Sequence, residues 1–444
     1  MKNRASVMLV DYCGVSDKYE FLYELASELD PRPVVILDGL RSRVDEPVPK
    51  AQRAPIFIKA PKEIFRHTSR SSLFSFLSGA SAVDGQDLDD LGDRLVKLRA
   101  ENELNPRHKH ARQSVALSFQ FTLRAIQRYR PALMLVWNQF HPLSQAAQVA
   151  ATKLSTRVAF VEYGLLPGTL NFDLSGQMGE SDVVQFAESF NSLPLDAHDI
   201  GIAEDILMHL RNGESNRRLQ VPLGEVEQDL RSRAKGRPLV LFAGHNDHAS
   251  GTIPYNDKAR RFHSPIFSTS RDAANYLAQL AKENNWLLLY KPHPFASKAQ
   301  RLEDSDNVVV LGNFDINACV DLADCVVTIL SQVSYVALTR KKPLVMLGYN
   351  QLRGSCCHYQ AEELSDILPL IQSAIEGGFI PSQQLAWSSH VARLLRHYLY
   401  SFPGNAPSIP FARSLTQLAE TIEDTIVVRK TAASLSLLSS ESKN

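Results

Sequence analysis

The chain has 444 residues, 44% of them apolar and 22% charged, a length that suits two or three domains each able to bury a core. Its 48 Lys and Arg balance 48 Asp and Glu, which excludes a general polyanion binder with a basic surface and leaves small acidic ligands open. No run of 18 consecutive apolar residues occurs, so a conventional helical membrane span is not expected, and Asp11 ends the apolar start at Val7 before a signal-peptide core is complete.

In chain order, Val7–Val10, Val34–Leu37, Leu133–Trp137 and Val158–Val161 read as short buried strands. Between them Tyr19–Leu29, Gln113–Tyr129 and Leu143–Leu154 carry apolar residues at helical spacing. The charged, Pro-bearing stretch Arg41–Arg112 reads as an irregular excursion with one helix near Leu88–Ala100, and Arg231–Pro238 reads as a polar hinge. A second alternating series follows. Its strands are Leu239–Phe242, Trp286–Tyr290, Val308–Leu311, Cys325–Ile329 and Leu344–Leu347, and its helices lie near Arg271–Asn284, Ile316–Leu322 and Gln332–Arg340. Helices near His390–Tyr398 and Ser414–Ile426 come last, before a Ser-rich tail, Ala432–Asn444, expected to be frayed.

Strands alternating with helices predict an α/β chain of two Rossmann-like, doubly wound units. The expected domains are 1–235, 236–390, a set of helices over 391–430 that packs back on the first domain, and a flexible tail over 431–444. Two such units imply a cleft faced by the carboxyl ends of their strands, where open parallel sheets bind ligands. Cys13, Cys319, Cys325, Cys356 and Cys357 show no ligand spacing and read as reduced thiols, in keeping with a cytosolic protein.

Residues just after strands therefore carry the functional reading. Glu162 and Gly164 follow the Val158 strand, and a carboxylate beside a glycine suits general acid or base work, a local turn cap being the simpler alternative. After Phe242 comes Ala243-Gly-His-Asn-Asp-His-Ala-Ser-Gly251, in which Asp247 is a candidate nucleophile or base, or else the head of an Asx turn. His245 and His248 stand three apart with no third ligand in view, so a metal site is not expected. Lys291-Pro-His-Pro294 presents two cations at a sheet edge, fit for a phosphate or carboxylate. Ser331 is a good helix N-cap, and with Lys291 and His293 it describes a phosphate pocket without a Walker loop. The absence of a GxGxxG fingerprint argues against a nicotinamide enzyme.

The order Glu162-x-Gly164, Asp247-x-x-Ser250, Lys291-Pro-His-Pro294, Ser331-Gln-Val333 and Lys342-Pro-Leu-Val345 resembles the bacterial retaining β-Kdo transferases of capsule and O-antigen assembly, over roughly Leu133 to Gly348. That resemblance implies a GT-B fold and transfer of Kdo from CMP-Kdo to a lipid-linked glycan, with no metal or other cofactor. It implies Asp247 as nucleophile and Glu162 as the second catalytic residue. Lys291, His293, Ser331 and Gln332 would bind the donor, with Asn138 lining the cleft. Val333, Asn246, Ser250 and Gly164 complete the expected donor set. Tyr163 and Leu165-Leu-Pro-Gly168 stand where the capsule enzymes have Asp and Phe-Leu-Arg-Ser, and Tyr335-Val336 where they have an acidic residue. These departures favour the branch that caps O-antigen.

The expected location is cytoplasmic. Ile426-Val-Val-Arg-Lys430 is a candidate contact with the inner membrane or an assembly partner, an ordinary helix end being the simpler reading. Two other classes fit the same pattern: a UDP-sugar 2-epimerase or inverting glycosyltransferase, and a non-catalytic nucleotide or glycan scaffold.

Overall fold

A computed structural model describes residues 6–12, 19–30, 32–38, 56–59, 85–101, 108–212, 221–247, 253, 261–294, 296, 302–401 and 412–427. The chain forms two compact units, one of Met1–Leu95, Arg107–Leu174 and His397–Asn444, the other of Val96–Pro106 and Ser175–Arg396.

Among the described residues the first unit carries a seven-stranded sheet of β1 (Val7–Asp11), β2 (Val34–Asp38), β3 (Ile56–Lys59), β4 (Leu133–Trp137), β5 (Val158–Tyr163), β6 (Thr169–Asp173) and β13 (Leu399–Ser401). Its order is β13-β6-β5-β4-β1-β2-β3. The five strands β1 to β5 pair in parallel, and β6 and β13 close one edge in antiparallel fashion. Continuous apolar runs such as Leu-Met-Leu-Val-Trp in β4 are buried along their whole length, because helices cover both faces of a parallel sheet.

On one face Val7, Leu9, Ile36, Leu135 and Val161 pack against Phe21 and Leu25 of helix Tyr19–Glu28 and against Leu418, Ile422 and Ile426 of helix 415–427. Arg32, itself buried, grips Glu423 through two N–H···O bonds of 2.5 Å, so the last helix is fastened to the first unit by charge-assisted bonds as well as by apolar contact. Ile426 is part of this core, which removes it from the candidate lipid contact; Val427 is exposed, and 428–430 lie outside the described residues. Helices His108–Tyr129 and Pro142–Lys153 are tied to each other and to the sheet by Ser118 Oγ donating to the Leu143 carbonyl (2.8 Å) and Ser144 Oγ to the Trp137 carbonyl (3.3 Å).

The second unit holds β7 (Leu239–Ala243), β8 (Leu287–Lys291), β9 (Val308–Val310), β10 (Cys325–Thr328), β11 (Leu344–Met346) and β12 (Tyr359–Gln360), all parallel, in the order β12-β11-β10-β7-β8-β9. The chain runs outward from β7 to β9, then crosses to β10 on the other side of β7. The order therefore reverses between β7 and β10, the switch point at which such sheets open a crevice.

Several expectations change. Arg231–Ala234 is the last turn of helix Glu225–Ala234, and Lys235, at a left-handed φ of 51°, is its C-cap, so the polar stretch is a helix end and not a hinge. Residues 175–234 group with the second sheet: Arg211 Nε reaches the Thr339 carbonyl (2.8 Å), and Val221 bridges to Phe314. Arg41–Arg112 contains a strand, β3, on the edge of the first sheet, and its helix spans Gly85–Glu101. The first sheet is mixed, not wholly parallel. Among the described residues no helix is long and apolar enough to cross a membrane. Cys319, Cys325 and Cys357 are buried free thiols and Cys356 is exposed. Cys13 and the Ser-rich tail lie outside the described residues.

Candidate functional site

In the second unit the register aligns Ala243 with both Lys291 and Thr328, so the loops that follow β7, β8 and β10 leave the sheet at one level. Asp247, His293 and Ser331 are carried by these three loops.

Asp247 is buried, and its Oδ1 accepts a 2.9 Å bond from the Ser270 backbone N–H, the first residue of helix Ser270–Glu283. A buried carboxylate needs such a partner, and a helix start, with its unpaired N–H groups and positive dipole end, stabilises the anion. The same Ser270 accepts at Oγ from the His245 N–H (3.0 Å), so this one residue sets both ends of the His245–Asp247 segment. Thr269 caps the helix by accepting from Asp272 N–H (3.0 Å). Asn246 is buried beside them; Ser250 and His248 lie outside the described residues. Among the described residues no group of three or more His, Cys, Asp or Glu is placed to hold a metal ion.

His245 is buried, and its Nε2 accepts from the Leu330 N–H at 3.2 Å and lies 3.2 Å from Thr328 Oγ1. Burial, with a smaller contribution from nearby His293, pushes its pKa down to about 3. His293 is half-buried on the β8 loop, within electrostatic reach of this ring.

Lys291 ends β8 with its ammonium buried, donating to the carbonyls of Phe314 (2.6 Å) and Gly312 (3.2 Å). Burial holds its pKa below the usual lysine value, against the opposing pull of Cys319 and Asp315. Two of its three N–H donors thus fasten the loop that leads to Asp315, the N-cap of helix Ile316–Leu322.

Ser331, Gln332 and Val333 are half-buried at the start of helix Val333–Thr339. Ser331 Oγ accepts from the Val333 N–H (3.3 Å), while Gln332 makes no side-chain cap bond.

In the first unit Asn138 follows β4 and Glu162 lies near the end of β5, at the same edge of the sheet, since Trp137 pairs with Val161. Asn138 has a left-handed φ of 55°, and its Oδ1 accepts from the Phe140 N–H (3.2 Å), an Asx turn that feeds helix Pro142–Lys153. Gly164 is filled on its Cβ side by the protein: a Cβ there would lie 2.0 Å from Thr169 Oγ1, and its N–H already donates to the Thr169 carbonyl (2.7 Å). Its glycine lets β6 turn back tightly on β5, a structural role in place of the expected donor contact.

Val161 and Tyr163 face the core, so Glu162 faces the other side of the sheet, opposite its cross-strand partner Asn171. Asn171 Nδ2 donates to Tyr398 Oη (3.4 Å), which donates to Asp173 (3.1 Å). Asn171, Asp173 and Tyr398 were not anticipated. Asn171 and Asp173 sit on β6 and Tyr398 in the turn just before β13, more than 200 residues on, and only the alternation in Thr169-Leu-Asn-Phe-Asp173 hints at such a strand. Ser270 was readable as a helix start but not as the partner of Asp247.

No family model matches the sequence, and no curated protein matches it. Among solved structures, the chain is similar to the KpsC β-Kdo 2,7 transferase of Thermosulfurimonas dismutans (18% identity, TM-score 0.40, 68% of this chain and 89% of that one). It is also similar to the KpsC β-Kdo 2,4 transferase of the same organism (16%, TM-score 0.43, 65% and 87%). A putative UDP-N-acetylglucosamine 2-epimerase of Listeria monocytogenes matches at 12% identity and TM-score 0.36, over 88% of this chain and 94% of that one.

Proposed function

We propose that the protein is a retaining β-Kdo glycosyltransferase that moves Kdo from CMP-Kdo to a lipid-linked surface glycan, with an O-antigen cap as its product. The observation that carries this reading is the convergence of Asp247, His293 and Ser331–Val333 on adjacent strand ends of one sheet, with the Asp247 carboxylate fixed by Ser270. A single phosphodiester needs one compact set of cations and hydrogen-bond donors, which is why no metal enters the scheme. In it His293 and the Ser331 hydroxyl contact the CMP phosphate, and Lys291, mostly committed to carbonyls, acts through its charge.

The reaction runs in two displacements. An Asp247 oxygen attacks the anomeric carbon as its bond to the phosphate oxygen breaks, and CMP leaves with the electron pair. Glu162 then takes the proton of the acceptor hydroxyl, whose oxygen displaces Asp247 from the same carbon. Two inversions give retention. The GT-B arrangement and peripheral work at the inner membrane belong to the same proposal.

Nucleotide preference tests it. CMP at about one hundred times its Kd raises stability by about 2.7 kcal/mol, read as an upward shift in Tm, and UDP gives none. Stabilisation by UDP but not by CMP would replace this reading with a UDP-sugar enzyme.

A further inference from the structure

We infer that His245 is a positioning residue that latches the loop carrying Asp247 to the loop carrying Ser331, across the point where the order of the second sheet reverses. The inference rests on the function proposed above for its catalytic consequence, and on geometry alone for the latch. Strands β7 and β10 are neighbours whose loops diverge, and such a switch point is ordinarily a crevice. Here a buried imidazole spans it. The backbone N–H of His245 is held by Ser270 Oγ (3.0 Å) on the β7 side, and the ring Nε2 accepts from the Leu330 N–H (3.2 Å) on the β10 side, one residue before Ser331. Thr328 Oγ1, 3.2 Å from the same Nε2, gives its one proton to the Ala243 carbonyl (3.1 Å), so a second bond closes the gap at the strand ends.

The chemistry fixes the tautomer. A backbone N–H only donates, so Nε2 holds a lone pair and the proton of the neutral ring is on Nδ1. A cationic ring would present a donor to a donor. The low pKa of this buried ring agrees with a side chain kept neutral at all ordinary pH values. A ring engaged in this way at Nε2 has no lone pair there for a metal, which gives His245 a role other than ligation. Asp247 and Ser331 lie two residues and one residue from the latched groups, so slack in the latch changes their spacing, and misplacement of about 1 Å can cost about 10²-fold in rate.

The test compares the full-length protein with His245→Leu, which removes the acceptor, and His245→Gln, which restores an acceptor oxygen at similar reach. Amide exchange is measured together with kcat and KM for CMP-Kdo. The expected result is a rise of about tenfold or more in exchange at Leu330 in the leucine variant, with no change in β8 amides, and recovery in the glutamine variant. With it, kcat falls by about 10- to 100-fold while KM for CMP-Kdo is held. Unchanged exchange at Leu330 would overturn the latch whatever the reaction is. Faster exchange with unchanged kcat would overturn its positioning role. If wild-type protein turns over no CMP-Kdo, the proposed function fails, and exchange still decides the latch. Should the leucine variant not fold, His245→Asn, too short to reach Leu330, is read in the same way.

Discussion

Asp247→Asn lowers Kdo transfer by roughly 10³-fold or more and leaves CMP binding unchanged. Asparagine has the shape of aspartate and keeps a side-chain oxygen to accept the Ser270 N–H, so the loop and helix Ser270–Glu283 retain their contact. What is lost is the charge that makes the oxygen a nucleophile in the proposed reaction. The cost to folding is modest, because a carboxylate at a helix start contributes about 0.3–1 kcal/mol beyond a neutral acceptor. Initial rates from CMP-Kdo, with CMP affinity by calorimetry, separate the two effects. A variant that transfers at near wild-type rate removes Asp247 from the reaction and leaves it as the partner of a helix start.

Gly164→Ala destabilises the first unit by about 3 kcal/mol or more. The added methyl would lie 2.0 Å from Thr169 Oγ1 and 2.8 Å from the Thr169 carbonyl carbon. The hydroxyl is itself held, donating to the Leu166 carbonyl at 2.6 Å, so it cannot simply swing aside. Relief requires β6 to shift from β5, and with it the Glu162–Asn171 pairing. Thermal unfolding reads this as a Tm lowered by several degrees. A variant that melts like wild type but binds CMP poorly would return Gly164 to the donor-binding set in which its place in Glu-Tyr-Gly first put it.

The contrast at Gly164 marks what the sequence could and could not tell. Continuous buried runs such as Val7–Val10 and Leu239–Phe242 announced parallel strands, because only a sheet covered on both faces uses them. The antiparallel edge was hidden: β13 is three residues long, and its partner β6 lies some 230 residues earlier in the chain. Motifs after strands were legible as to place and less so as to direction. Lys291 and His293 read in sequence as a pair of cations for one ligand, yet Lys291 turns to carbonyls 21 and 23 residues on, a contact no local pattern encodes. His245 suggests only a metal ligand in sequence, since its neighbours Thr328 and Leu330 come from the end of β10 and the loop after it, over 80 residues away. The polar run at 231–238 reads as a hinge in sequence because helix C-caps and hinges share Gly, Lys and Arg.

The most direct measurement is the intact mass of the Glu162→Gln variant quenched after incubation with CMP-Kdo, followed by fragmentation of the modified peptide. Loss of the base slows the second displacement and leaves the first, so one Kdo residue is expected covalently bound at Asp247, together with an equivalent of free CMP. CMP release with an unmodified Asp247, or an adduct on another side chain, would contradict the account.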